Sequence, residues 1–175
     1  FESATPSRRR ISWRPTISVL SKIFDGIPAS PPADFALVAY PSIHHYDGRG
    51  ANRPWLQEVP DPMTQLTWEN WVEINPKDAE RFNIAKGALV ELRTQHGTVE
   101  LRAYVYAGIH PGAIAVPIGQ GHTEYGRYAQ GTGANIHRLL PPLPLDSSGG
   151  IRWTGVTVSL VNKGQRKQLA DVAGS

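Results

Sequence analysis

Apolar positions along the chain come in short runs separated by glycine- and proline-bearing turns, a spacing that suits strands. Phe35–Tyr40 is an apolar run ended by Pro41, and Trp71–Ile74 is a shorter one. Leu89–Arg93 and Val99–Tyr106 are predicted to form a hairpin across Gln95-His96-Gly97. In its second strand Val99, Leu101, Ala103 and Val105 share one face while Glu100 and Arg102 take the other, the two-residue period of a half-buried strand. His110-Pro111-Gly112 predicts a turn, Ala113–Pro117 a buried strand, and Val156–Val161 a closing strand. One helix interrupts the series. Asn75 is its N-cap, Pro76 its first residue, and Asp78 lies near the positive end of its dipole. The helix is expected over Pro76–Phe82 with Ala79 and Phe82 inward, and Gly87 turns the chain after it. About six strands, one or two short helices and long polar loops imply a mainly-β closed barrel, because closure removes sheet edges.

Composition sharpens this. A chain of 175 residues is one domain with flanks. The barrel is expected over 35–162. Residues 1–34, rich in Ser, Pro and Arg, read as an extended N-terminal arm that docks on another surface through Trp13 and Phe24. Residues 163–175 read as a linker or tail. The start at Phe1 implies a processed protein or a piece of a longer polypeptide. With no cysteine, the chain itself supplies no disulfide, thiolate zinc site, iron–sulfur ligand or cysteine nucleophile.

The pI of 9.3 suggests nucleic acid until the charge is located. Residues 1–34 carry five basic and three acidic residues, whereas 35–162 carry 10 basic and 11 acidic. A nucleic-acid domain wears its charge on the folded body, so nucleic acid is not the expected partner. The longest uncharged run, Ala103–Thr123, is broken by Pro111 and Pro117 and does not read as a transmembrane helix. Residues 1–34 lack the continuous apolar core of a signal peptide. Membrane association is therefore expected to come through a partner.

Two long polar stretches follow apolar strands directly, at 44–55 and at 119–135. Loops of this length in a compact domain usually carry function. Glycines at 119, 121, 126, 131 and 133 let backbone N–H groups approach an oxygen. Arg49, Arg53 and Arg127 suit phosphate; Asn52, Gln120 and Asn135 suit a heterocycle edge; Tyr46, Tyr125 and Trp55 offer stacking faces. The same residues also serve loops and interfaces with no ligand at all.

Other chemistries fail on residue types. The six histidines include no i, i+4 pair on a helix, and adjacent His44 and His45 point apart in extended chain, so no metal site is expected. There is no Gly-x-Ser-x-Gly elbow, Walker A loop or Rossmann fingerprint, and Glu69, Glu73, Glu91 and Glu100 have no partner for acid–base work. The Gly174-Ser175 bond lies outside the barrel, which argues against a self-cleaving decarboxylase. No catalytic residue is assigned.

In order, the body reads HHYDGRGANRPWLQEVPDP (44–62), TWENWVEINPKDAERFNIAKGALVELRTQHGTVELRAYV (67–105), GIHPGAIAVPIGQGH (108–122) and YGRYAQGTGANIHRLLP (125–141). Its most specific parts are Asn-x-Pro-Trp-Leu at 52–56, the helix and turn at 75–87, the His-Pro-Gly turn, and the glycine loop ending at Asn135. This pattern resembles the C-terminal dinucleotide-binding domain of the molybdopterin oxidoreductases, the dimethyl-sulfoxide-reductase superfamily. The wording of both loops is most similar to the molybdopterin-like subunit of alternative complex III and menaquinone reductase complexes.

The resemblance implies a six-stranded double-psi β-barrel that closes over molybdopterin guanine dinucleotide. Its implied contacts are His44, His45, Arg49 and Asn52 in the first loop. Gln120, Gly121, His122, Tyr125, Arg127 and Asn135 are those of the second. In that branch some members lack the cofactor, and the barrel then serves as scaffold. In that case Arg49 and Arg127 are expected to turn to Asp47 and Glu124 and close the cleft. The implied partners are an iron–sulfur region and a quinone-binding membrane subunit, at the periplasmic face of the bacterial cytoplasmic membrane. The alternative is a stand-alone ligand-binding or interaction module with no redox role.

Overall fold

The computed structural model describes residues 35–142, 153, 155–166 and 169–170. The expected arm 1–34 lies outside the described residues. Six strands close into a barrel: β1 Phe35–Pro41, β2 Trp71–Ile74, β3 Ala88–Arg93, β4 Thr98–Val105, β5 Ala113–Ile118 and β6 Val156–Arg166. The order around the barrel is β1-β5-β2-β4-β3-β6. Two pairs, β1 with β5 and β2 with β4, are parallel; the rest are antiparallel. The result is the closed barrel that the strand pattern predicted, in the six-stranded double-psi form that the resemblance implied.

Alternation fills the interior. Leu37, Val72, Ile74, Val90, Leu92, Ile114, Val116 and Val158 are essentially inaccessible to solvent, and together they form one apolar cluster. In β4, Val99, Leu101 and Ala103 are buried while Glu100 is exposed, as the period predicted. Helix α2 spans Pro76–Arg81, and the Asn75 side chain accepts from the Lys77 N–H as its cap. Phe82 ends that helix and sets its ring 5.3 Å from that of Phe35. β6 runs beyond Val161, paired with β3 as far as Arg166 opposite Ala88.

Two short helices stand at the ends of the polar stretches, where the sequence reading placed none. They are α1, Pro54–Glu58, and a 3-10 turn at Ile136–Leu139. Pro54 opens α1 with the φ it already has. Asn135 caps the 3-10 turn by accepting from the His137 N–H at 3.1 Å.

Parallel pairing of β1 with β5 decides where the two polar loops go. Tyr40 stands opposite Pro117 and Pro41 opposite Ile118, so both strands end side by side and pointing the same way. The loop after each strand therefore starts at the same rim. Pro117 has no N–H, and the β2–β5 ladder stops short of it, at Glu73 opposite Ala115. There the Asn70 side chain takes over, donating to the Pro117 carbonyl at 3.2 Å.

Candidate functional site

The rim loops are held together by backbone that comes too close for side chains. A Cβ on Gly48 would meet His122 Nε2 at 2.8 Å, and one on Gly119 would meet the His45 Cβ at 2.9 Å. Gly121 lies against the Ala134–Asn135 peptide, where a Cβ would fall 2.0 Å from the Asn135 nitrogen. All three glycines have positive φ, +105°, +107° and +83°. Hydrogen bonds tie the same surfaces. The Tyr125 hydroxyl donates to the Arg49 carbonyl at 3.0 Å, and the Tyr128 N–H donates to Asn52 Oδ1 at 3.0 Å.

Beneath the rim lies a buried carboxamide pair. Gln120 Nε2 donates to Gln57 Oε1 at 2.7 Å and to the Trp68 carbonyl at 2.5 Å. Gln57 Nε2 donates to the Ala51 carbonyl at 2.7 Å and to Gln120 Oε1 at 3.3 Å. Both side chains are buried, so each needs the other to be satisfied. Asn70, also buried, both donates to the Ala134 carbonyl and accepts from the Ala134 N–H, at 2.9 Å each. Gln57 and Asn70 were missed by sequence reasoning. Neither has a sequence signal, since each looks like an ordinary polar residue near an aromatic one.

Above the pair opens a cleft of about 630 Å³. Of the sequence-derived residues, Gln120, Gly121, His122, Tyr125 and Asn135 line it, joined by Asp47 of the first loop. His137 and Arg138 of the 3-10 turn also line it. His44 and His45 face a smaller space between α1 and β5, shared with Gln57 and Trp68. Asn52 braces Gly126 and Tyr128. Arg127 lies over the Tyr128 ring, 5.5 Å from its centroid, and among the described residues makes no ion pair with Glu124.

Arg49 is turned to Asp47. Its Nε and Nη2 donate to the two carboxylate oxygens at 2.9 and 2.7 Å. That fork holds the Asp47 carboxyl down to about 2 and raises Arg49 above its usual value. His45 differs. Burial lowers its imidazole to about 4, and the neighbouring His44 and His122 act in the same direction. It is therefore neutral at pH 7. Its Nδ1 and the Nε2 of His122 are buried and find no hydrogen-bond partner among the described residues.

Cleft charge decides what these groups can hold. Of the lining residues, Asp47 and Glu124 are acidic and Arg138 is basic. A dinucleotide pyrophosphate needs several donors or a free guanidinium. Here Arg49 is occupied by Asp47, and the Gln120 carboxamide is turned inward. Arg49 and Gln120 are therefore not available to that anion as they stand, and Arg138 is the basic side chain that lines the cleft. Among the described residues no group of His, Cys, Asp or Glu is placed to hold a metal ion.

A 160-residue stretch, 91% of the chain, is 27% identical to the menaquinone reductase molybdopterin-binding-like subunit of Nitratidesulfovibrio vulgaris, covering 23% of that protein. A 94-residue stretch, 53% of the chain, is 34% identical to the arsenate respiratory reductase molybdopterin-containing subunit of Shewanella sp. strain ANA-3, covering 11% of it. The acetylene hydratase of Pelobacter acetylenicus superposes with a TM-score of 0.57 at 17% identity, over 74% of this chain and 18% of that one. The chain thus spans less than a quarter of the length of these curated relatives. Residues 35–150 match the molydopterin dinucleotide binding domain, and the chain belongs to that family.

Proposed function

We propose that this domain is the closing barrel of a molybdopterin-oxidoreductase-like subunit in a membrane-associated, quinone-linked electron-transfer complex, and that it serves there as scaffold. One observation carries the reading. Three of the groups that would read a pterin dinucleotide are satisfied within the chain. Arg49 is forked to Asp47, Gln120 is paired with Gln57, and Asn52 is bonded to the second loop. Removing an anionic ligand from such a site leaves its cations uncompensated, and a local carboxylate restores the balance. The Arg49–Asp47 fork has that character. The relative that matches over nearly the whole chain bears the name of a molybdopterin-binding-like subunit of a menaquinone reductase.

No catalytic group is assigned among the described residues of the barrel. Its contribution is a rigid wall, because a closed barrel with a continuous core presents both rim loops in fixed register. No described helix is long and apolar enough to cross a membrane. Attachment to the membrane, at its periplasmic face, then comes from partner subunits. The iron–sulfur region and the quinone site lie in those partners or in other parts of the polypeptide.

A second reading is favoured by the cleft volume. About 630 Å³ is ample for a pterin or a nucleotide. In that reading Asn135, His137 and Arg138 hold the ligand's polar edge, and other domains supply the remaining cations.

The quinone-linked assembly is tested by detergent extraction of native membranes followed by affinity capture of the full-length protein. Co-purification with iron–sulfur and membrane subunits, and reduction or oxidation of the preparation by a quinol–quinone pair, is expected. A monomeric protein recovered from the soluble fraction, inert toward quinols, would overturn it.

A further inference from the structure

Residues 169–170 return to the barrel at the loop that supports the cleft floor. Leu169 is buried in a small apolar cluster with Leu66 and Trp71, apart from the main core. The Ala170 carbonyl accepts from the Thr67 N–H at 2.9 Å and from its hydroxyl at 3.2 Å. The next residue, Trp68, has φ +66°, an unfavourable conformation for a bulky side chain. It persists only where its surroundings hold it. Trp68 donates its N–H to the Gln57 carbonyl at 3.0 Å, and its own carbonyl accepts from Gln120 Nε2.

The chain of contacts is thus continuous. The tail pins Thr67, Thr67 fixes Trp68, and Trp68 presents one carbonyl to the carboxamide beneath the cleft. The tail's apolar contact is small, three residues with Tyr104 packed beside them. A contact of that size is among the first to open locally, well before the closed barrel does.

We propose that residues 169–170 are a strap: docked on the 66–69 loop, they hold Trp68 in its strained conformation and so position Gln120 under the cleft. Leu169 is the positioning residue of this device, and Trp68 and Gln57 transmit its effect. When the strap lifts, the Gln120 carboxamide loses the Trp68 carbonyl as an acceptor and is held by its pair with Gln57 alone. The inference rests on this chain's own contacts and holds whether or not the cleft takes a pterin dinucleotide.

The test is hydrogen exchange of the Gln120 side-chain amide, read by NMR on the whole 175-residue chain. Leu169→Ala is compared with the parent, with Leu169→Met as the conservative rescue and Leu169→Val as a milder deletion should Leu169→Ala fold poorly. Val105→Ala, whose side chain packs on the main core and not on the strap's cluster, is the control for general loosening. Rates are taken relative to the ladder amides of Val90 and Leu92, so global destabilisation cancels. Exchange at Gln120 is expected to rise at least tenfold relative to the ladder in Leu169→Ala, by a smaller factor in Leu169→Val, and to return within about twofold of the parent in Leu169→Met. Val105→Ala should leave the ratio unchanged. Acceleration of Gln120 only in step with the ladder, or the same ratio in Val105→Ala as in Leu169→Ala, would overturn the proposal.

Discussion

Replacing Gly121 by alanine tests how the cleft wall is built, with Gly131→Ala as its internal control. Both glycines lie in the second rim loop with similar backbone, φ +83° and +72°. Either substitution therefore places an L-residue in the left-handed region, at a cost of about 1–2 kcal/mol. They differ in what the new methyl meets. At Gly131 nothing lies within 4 Å, so the backbone term is the whole cost. At Gly121 the methyl would sit 2.0 Å from the Asn135 nitrogen and 2.2 Å from the Ala134 carbonyl carbon. Both are backbone atoms and cannot swing aside as a side chain would. Ordinary contact begins at 3.4 Å, so the two segments must part by about 1.4 Å. That displaces the cap of the 3-10 turn and strains the Asn70 bridge to Ala134. Overpacking of this kind adds roughly 1–3 kcal/mol. Urea denaturation should show Gly121→Ala less stable than Gly131→Ala by about 2 kcal/mol, with amide shifts concentrated at 134–138. Equal stabilities within about 0.5 kcal/mol would refute the close-approach argument.

Other expectations follow from the same contacts. His45 has its folded pKa depressed from 6.5 to about 4, so between those values the unfolded chain binds more protons. Stability is then full above pH 6.5 and falls as the pH drops toward 4, by roughly 3 kcal/mol in all. Urea midpoints taken across that window check it, and the slope should be markedly shallower in His45→Phe. Gln57→Leu strands the buried Gln120 carboxamide and should cost about 1–3 kcal/mol, while adding Gln120→Leu recovers part of the loss; a double-mutant cycle with no coupling contradicts the pair. Asp47→Asn should leave the thermal midpoint unchanged, since the fork is exposed. It should instead strengthen binding of pyrophosphate, measured by calorimetry, by freeing Arg49. Asn75→Ala removes the α2 cap and should destabilise by about 1 kcal/mol.

The barrel was legible because its strands alternate or run apolar between turn residues, as in Val99-Glu100-Leu101-Arg102-Ala103. Asn75-Pro76 likewise announces α2 through local chemistry alone. Convergence of the two rim loops was not local. It depends on β1 and β5 pairing in parallel across more than seventy residues, which only the resemblance supplied. Side-chain roles inside the loops were the least legible part. Gln120 and Asn135 have the right groups to read a ligand, but their partners, Gln57 and the His137 N–H, come from helices too short to show any periodicity. The Arg49–Asp47 pair lies two residues apart and could be anticipated. Arg127 found the ring of its neighbour Tyr128 instead of Glu124. An exposed loop leaves such a choice to small energy differences.

The scaffold reading is tested most directly by the metal and pterin content of the purified full-length complex. Molybdenum and tungsten are measured by mass spectrometry, and pterin is released by oxidation and detected by its fluorescence. The account predicts neither metal at stoichiometric level and no pterin signal above that of a control protein. Molybdenum or tungsten near one per complex, accompanied by a matching amount of pterin, would contradict it and make the cleft a working dinucleotide site.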